Sequence, residues 1–488
     1  MPERLRNSAT EEGNGLSGRA LELDRHSPTP FYRQVYGLVR DAIARDVLRP
    51  GERLPSTRSL ASQLATARGT IDLAYSLLAS EGYILARGAA GTFVAASLSS
   101  AVKAPAGAAP PAAMQQKAAN AMVLRPFEMG FPALDAFPRK LWSRLAARRA
   151  RLLPLEALWH PGATGALPLR EAIAAYLAVS RSIRCSADQI IITAGFQGAL
   201  GLATRAFLEP GNEVWFEDPG YILARRGFQA AGARLVPVPV DEEGLDVEAG
   251  VARSPNARLA YVTPSHQAPL GVALSLRRRL ALLNWAERAR AWILEDDYDS
   301  EFRYASRPLP ALKSLDDADR VLFVGSFSKV LFPGLKLGYL VIPRAEVDRI
   351  SRICLALNPG PATLSQAIVA DFMVEGCLPR HIRRMRSLYA ERRAALANAL
   401  TAVFGSDLDL RLQAGGMHLI ARIMDGSDDL EQVDRANAHG LAPMALSTWC
   451  MMPEHQRQGL LLSFTNMPVS MATDHALRLK AALGHGPD

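Results

Sequence analysis

The sequence predicts an α/β protein in two folded units: a small helical unit ending in a two-stranded hairpin, and a large unit with a mostly parallel central sheet. Three observations predict it. Between residues 28 and 96, apolar residues recur at helical spacing in three stretches, and two short β-type runs around a glycine turn follow. From 97 to 121 the chain becomes Ala-, Pro- and Ser-rich, a composition that buries no core and reads as a linker. From 122 to 485, apolar strand-like runs alternate with helical stretches.

Composition excludes several classes. Of 488 residues, 49% are hydrophobic and 21% charged, which is ordinary globular material with ample core. No apolar run reaches the roughly 18–20 residues that span a bilayer. The start, Met1-Pro2-Glu3-Arg4-Leu5-Arg6, lacks the apolar stretch of a secretory signal. Cys185, Cys354, Cys377 and Cys450 show no CxxC or metal-ligand spacing, which argues against a zinc site or a disulfide framework. A cytoplasmic protein without metal is expected. The net charge of +8 weakly favours polyanionic partners.

Residues 1–27 are polar and without periodicity, and read as a flexible tail. From Tyr32 to Asp46, Val35, Leu38, Val39, Ala42 and Ile43 mark a first helix. Pro50-Gly51 and Pro55 make a turn, and Ser56 is placed to cap a second helix from Thr57 to Leu64. A third helix is expected from Arg68 to Glu81, stopped by Gly82. Tyr83–Ala86 and Thr92–Ala95 then form a hairpin around Arg87-Gly88-Ala89-Ala90-Gly91. Three helices and a hairpin make the winged helix-turn-helix pattern. Its third helix would enter the major groove of double-stranded DNA, with Arg68 and Thr70 near its start. Arg58 would hold the backbone, and Arg87 and Gly88 at the hairpin tip would reach the minor groove or a phosphate. Eight arginines against five acidic residues over 28–96 give only a mild excess, so a small helical bundle with surface arginines fits the pattern as well.

In the large unit, Gln189-Ile190-Ile191-Ile192-Thr193 reads as a strand, and Ala194-Gly195-Phe196-Gln197 opens a helix. Such a glycine-rich helix start can hold an anion, or be a plain turn. Glu213–Asp218 is a strand whose exit presents Tyr221, an aromatic able to stack on a flat ring or to fill a core. Leu259–Thr263 leaves into a polar turn. Ala291–Leu294 leads into the carboxylate cluster at Glu295, Asp296 and Asp297, with Tyr298 two residues after Asp296 and so on the same side of an extended chain. The last strand, Arg320–Gly325, ends in Ser326-Phe327-Ser328-Lys329, with Lys336 beyond Pro333-Gly334. A lysine at a strand exit, with hydroxyls and a second cation near, is what a Schiff base with a phosphorylated aldehyde needs. A solvated loop lysine looks the same in isolation. Together these residues put a lysine, an anion site, a stacking aromatic and a carboxylate at successive strand ends, the edge where α/β proteins bind ligands.

In order along the chain stand Leu54-Pro55-Ser56-Thr57-Arg58-Ser59-Leu60-Ala61, Ser80-Glu81-Gly82-Tyr83, Gly91-Thr92-Phe93-Val94, Glu217-Asp218-Pro219-Gly220-Tyr221, Thr263-Pro264-Ser265-His266-Gln267, the run Glu295–Tyr304 and Ser326-Phe327-Ser328-Lys329. On these the large unit resembles fold-type I pyridoxal-phosphate aminotransferases. The whole chain resembles the MocR-type regulators of the GntR family, which fuse a winged helix to an aminotransferase-like domain. The resemblance implies pyridoxal 5'-phosphate linked to Lys329, with Asp296 on its pyridine nitrogen, Tyr298 on its phenolic oxygen and Tyr221 stacked on its ring. It implies a phosphate site from Gly195, Phe196, Gln197, Ser326, Ser328 and Lys336, and puts Arg58, Arg68, Thr70 and Gly88 on DNA-contact positions. It further implies a homodimer on a two-part operator, answering to the cofactor or to a small amine or amino acid that reacts with it.

The departures bear on activity. Lys336 stands where an arginine is usual, replacing a bidentate clamp with a point charge. Gln267-Ala268-Pro269-Leu270-Gly271 lacks the asparagine that would bond the phenolic oxygen, a place His266 is expected to take. Leu461 occupies the position of the arginine that grips a substrate carboxylate, and Arg457 is nearby but off register. Ala67 and Gly69 replace polar residues at the recognition helix. A working aminotransferase with an appended DNA-binding unit is the alternative to a regulator, and a cofactor-free DNA-binding scaffold is a third.

Overall fold

The computed structural model describes residues 23–25, 27, 29–96, 124–159, 162–304, 310–357, 360–424 and 428–484. Nearly all of the expected tail, 1–27, and all of the expected linker, 97–121, lie outside the described residues. The chain divides into two compact units, Met1–Met122 and Val123–Asp488.

In the first unit, helix α1 (Phe31–Ala44) buries Val35, Val39 and Ile43, four residues apart and so on one face. It ends two residues earlier than its periodicity indicates, because Asp46 adopts a left-handed φ of 55° that no helix continues. Helix α2 (Thr57–Gln63) is capped as expected, the Ser56 hydroxyl accepting the Ser59 N–H at 3.1 Å. Helix α3 (Arg68–Ser80) buries Ile71, Ala74, Tyr75 and Leu78, and the Tyr75 hydroxyl donates to the Pro55 carbonyl at 3.0 Å. That bond ties α3 to the turn that starts α2. Strands β1 (Ile84–Ala86) and β2 (Thr92–Val94) pair antiparallel, Ile84 with Val94, and these two residues close the core formed by Val39, Leu54, Leu60 and Ile71.

The second unit holds two sheets. Strands β3 (Ile190–Thr193), β4 (Glu213–Asp218), β5 (Arg234–Asp241), β6 (Gly244–Leu245), β7 (Leu259–Val262), β8 (Trp292–Asp297), β9 (Val321–Ser326) and β10 (Gly338–Val341) form one, in the order β3-β10-β9-β8-β7-β4-β5-β6. The five strands from β9 to β5 run parallel; β10 is antiparallel to both its neighbours, as is β6 to β5. Both faces are covered, so the strands send apolar side chains to both sides: Ile190 and Ile192 enter one core cluster and Ile191 the other.

The second sheet, which has no clear signal in the sequence, is antiparallel: β11 (Leu408–Arg411), β12 (His418–Ile423), β13 (Met444–Ala445) and β14 (Leu460–Ser463), in the order β11-β12-β14-β13. Alternation divides its side chains. Leu419, Ala421, Leu460 and Leu462 pack with the helices Cys377–Phe404 and Ala472–Ala482. Ile420 and Leu461 turn to the other face, where they join Ala268, Leu270 and Trp449, with Tyr221 and Tyr298 packed against them. Among the described residues no helix is long and apolar enough to cross a membrane.

Candidate functional site

The loops leaving the carboxyl ends of β4, β7, β8 and β9 carry Tyr221, His266, Tyr298 and Lys329. The Lys329 amine donates to the Gly130 carbonyl at 2.7 Å. Protein atoms crowd this amine and lower its pKa from the ordinary lysine range, while Asp299 and Asp296 pull the other way. A lysine so held loses its proton more readily, the condition for attacking a carbonyl.

Asp296, next to last in β8, is buried and among the described residues accepts one hydrogen bond, from the Tyr261 hydroxyl at 2.7 Å. Burial pushes its carboxyl up to about 7; the Tyr261 bond opposes this, and Asp297, Glu217 and Asp299 add to it. A protonated pyridine nitrogen is the kind of partner this carboxylate lacks. Tyr221 lies 5.6 Å from the Phe196 ring and 5.9 Å from Trp449, and Asp296 acts on its pKa, so Tyr221, Phe196 and Asp296 share one neighbourhood. The Tyr298 hydroxyl lies 3.0 Å from His266 Nδ1, and that nitrogen lies 3.1 Å from Asp299 Oδ1. His266, anticipated at a cofactor oxygen, has this nitrogen engaged by protein groups.

The register of β10 brings together the residues expected to form an anion site. Gly338 pairs with Thr193 on one side and with Ser326 on the other. The helix Gly195–Phe207 therefore starts beside the end of β9. Its N-cap, Ala194, supplies no capping side chain, so first-turn N–H groups remain for a ligand. A Cβ on Gly338 would lie 2.9 Å from the Gly325 carbonyl oxygen and 3.0 Å from Gly195 Cα, so the backbones meet closely because no side chain intervenes. Gly195 has φ +71°, and Lys336 lies against it in a left-handed conformation at φ 49°. Lys336 and Gln197 are exposed, and the Ser326 hydroxyl accepts the Ser328 N–H at 3.2 Å. An amine, a buried carboxylate with no ion pair among the described residues and an open helix start match the aldehyde, pyridine nitrogen and phosphate of pyridoxal phosphate. The donor set fits the group.

Gly130, Tyr261 and Asp299 do not stand out in the sequence. Gly130 comes to the lysine from 199 residues earlier and carries no local signature. Tyr261 lies inside an apolar strand, where it reads as core. Asp299 is one member of an acidic run. The departures also have a place. Leu461 and Ala268 are buried together beside Tyr221 and Tyr298, and Arg457 donates to the Val240 carbonyl at 2.9 Å.

In the first unit Arg58, Arg68 and Arg87 are exposed and Thr70 half-buried. Arg68 lies 3.5 Å from Asp72 one turn on, and the Arg87 guanidinium sits 5.2 Å over the Phe93 ring. Gly88 has φ +55° at the hairpin tip. Arg53, which has no distinguishing mark in the sequence, lies over the same hairpin: a Cβ on Gly91 would fall 2.9 Å from its Nε.

The second unit has the fold of an aminotransferase. Residues 160–441 match the family described as aminotransferase class I and II. Among solved structures, Pyrococcus horikoshii kynurenine aminotransferase, in complex with PMP, is similar at a TM-score of 0.68 and 26% identity, over 78% of this chain and 95% of that one. Thermus thermophilus LysN, an α-aminoadipate aminotransferase complexed with N-(5'-phosphopyridoxyl)-L-leucine, is similar at 0.66 and 28% identity, over 73% and 91%. Residues 31–94 match the bacterial regulatory proteins of the gntR family. Two regulators are similar nearly end to end: the probable rhizopine catabolism regulatory protein MocR of Rhizobium meliloti, 36% identical over 92% of both chains, and the pyridoxine biosynthesis regulator PdxR of Corynebacterium glutamicum, 34% identical over 88% of this chain and 91% of its own. The chain belongs to the MocR-type transcriptional regulators of the GntR family. Membership implies operator DNA as a partner, and a domain of a pyridoxal-phosphate-dependent family.

Proposed function

We propose that this regulator binds operator DNA through α3 and the hairpin, and senses pyridoxal 5'-phosphate, or a small amine or amino acid that reacts with it, at Lys329. One observation carries the reading. Lys329, just past the end of β9 with its amine pKa lowered, and Asp296, buried near the end of the neighbouring β8 with no ion pair among the described residues, lie beside an uncapped helix start. When bound, the cofactor supplies an electrophilic carbon that an amine can attack. The chain's own residues do the rest: Lys329 holds it covalently, Asp296 keeps its ring nitrogen protonated, and the Gly195 helix start with Lys336 holds its phosphate. Arg58, Arg68, Thr70, Arg87 and Gly88 are the proposed DNA contacts. A homodimer is the proposed working form, since a two-part operator calls for paired winged helices. The test is the absorption spectrum of the purified protein with and without added pyridoxal phosphate. Wild type should develop a visible band that Lys329→Ala lacks; identical spectra for the two would overturn the reading.

The complete set of Lys329, Asp296 and Tyr298 favours aminotransferase turnover as a second reading. Against it, Leu461 and Ala268 leave an apolar patch where a substrate carboxylate would need a cation. Steady release of keto acid from amino donors would establish turnover. The first reading expects a single stoichiometric exchange at most.

A further inference from the structure

We propose that His266 is a positioning residue acting through Tyr298: it turns the Tyr298 hydroxyl so that its one hydrogen is left for the phenolic oxygen of bound pyridoxal phosphate. This rests on the cofactor reading above and assigns His266 a task within it.

One nitrogen of the His266 ring has two oxygen neighbours. His266 Nδ1 lies 3.0 Å from the Tyr298 hydroxyl and 3.1 Å from Asp299 Oδ1. A bare Nδ1 would accept from Tyr298, yet it would set its lone pair against an oxygen of Asp299. An Nδ1 that carries hydrogen donates into the wedge between the two oxygens, and no lone pair is then set against another. The Tyr298 oxygen then accepts, and its own hydrogen is free to point elsewhere. Nε2 is buried and has no partner among the described residues, which agrees with the neutral Nδ1–H tautomer, because orphaned buried N–H groups are rare.

The ring cannot turn away. A Cβ on Gly416 would lie 2.3 Å from its Cε1, and one on Gly271 2.9 Å from its Nε2. Both glycines adopt positive φ, +91° and +74°, so the backbone is shaped closely around the imidazole.

Other titratable groups surround the pair. Burial, then Asp299, Asp296, Glu217 and Tyr221, hold the Tyr298 phenol well above its ordinary range, so it remains a neutral donor. On the basic side, Lys329 and Arg303 act on or answer to Asp299. Burial brings His418 down to about 4, which leaves it uncharged, its Nε2 2.9 Å from the Pro269 carbonyl oxygen.

The full-length protein loaded with pyridoxal phosphate tests this through the pH midpoint of its visible band. A hydroxyl that donates to the phenolic oxygen favours the ionised form and lowers the midpoint. His266→Gln, whose amide reaches the Nε2 position, should raise it by roughly 0.5–1 pH unit, the worth of one neutral hydrogen bond. His266→Asn, whose amide nitrogen reproduces Nδ1, should return it close to wild type. On a Tyr298→Phe background His266→Gln should add nothing. Equal midpoints for wild type and His266→Gln, equal shifts from Asn and Gln, or a Gln shift that survives without the Tyr298 hydroxyl would each overturn the role of His266. Nitrogen NMR of the His266 ring needs no variant: a protonated Nε2 with a bare Nδ1 overturns the proposal, and the reverse supports it. A wild type that develops no band overturns the cofactor reading itself, an outcome distinct from a band whose midpoint His266 does not move.

Discussion

Asp296 is held at about 7 against an ordinary 3.8, and burial is the main cause. A carboxyl whose pKa is higher folded than unfolded binds more protons in the folded state between those two values. Its stabilising effect is therefore full below about 4 and lost as pH rises towards 7. Glu217 and Glu295 are also pushed up to about 7 by burial, so the cofactor-free protein should lose stability over the same window. The three differ in what can relieve them. Glu217 accepts from Thr263 and Gln267, and Glu295 from the N–H groups of Leu312 and Lys313, all internal partners. Among the described residues Asp296 has Tyr261 alone, and a protonated pyridine nitrogen would complete it. Asp296→Asn should accordingly match wild type near pH 4 and exceed it at pH 8 without cofactor, by on the order of 2 kcal/mol. Added pyridoxal phosphate should stabilise wild type at pH 8 and barely affect the variant. Urea unfolding at both pH values, with and without cofactor, checks the sign; a variant less stable than wild type at pH 8 would contradict it.

At the scale of elements, the proposed anion site depends on β10 lying between β3 and β9. Alanine at Gly338 puts a methyl group against Gly195 Cα and the Gly325 carbonyl oxygen, backbone atoms that cannot step aside singly. Gly338→Ala should cost about 1–3 kcal/mol of stability, as overpacking does, and weaken cofactor binding at least tenfold by displacing the helix start. Thermal unfolding and a spectral titration measure the two effects separately. This element also marks where legibility in the sequence stops. Helices α1 to α3 are readable within two residues because a helix face repeats locally, and Ser56 announces the start of α2. Lys329 and Asp296 can be picked out because each follows an apolar run, and such runs are the buried parallel strands. Nothing local tells that β10 inserts antiparallel and brings Gly338 between Thr193 and Ser326, since register is a property of pairs of strands. The same holds for Gly130 at the lysine and for the clamp of Gly271 and Gly416 on His266. The antiparallel sheet of β11 to β14 escapes because a helix and long turns separate its short strands. Once its order is known, alternation explains why Leu461 faces Tyr221 and Tyr298.

At the scale of the whole molecule, the two units have separate cores, and thermodynamics limits how a ligand in one could act on DNA binding by the other. A ligand at Lys329 changes DNA affinity only if the DNA-bound and free forms bind it with different affinity. The coupling is then reciprocal: if pyridoxal phosphate changes operator affinity by some factor, operator DNA changes cofactor affinity by the same factor. The two measurements are independent, one following retained DNA and the other the visible band. We expect equal factors of roughly 5 to 150 for wild type, the usual range for coupled sites. Lys329→Ala should bind operator like cofactor-free wild type, with its response to cofactor abolished, because the lysine belongs to a unit with its own core. Arg68→Ala and Arg87→Ala should do the opposite. Each removes one exposed cation, so affinity should fall and the slope of log affinity against log salt should flatten by about 0.9 for each phosphate left unneutralised. The cofactor band of these variants, measured without DNA, should match wild type. Were Lys329→Ala to alter DNA affinity as strongly as Arg68→Ala without any cofactor present, the lysine would be supporting the fold rather than reading a ligand, and the division of labour between the two units would fail.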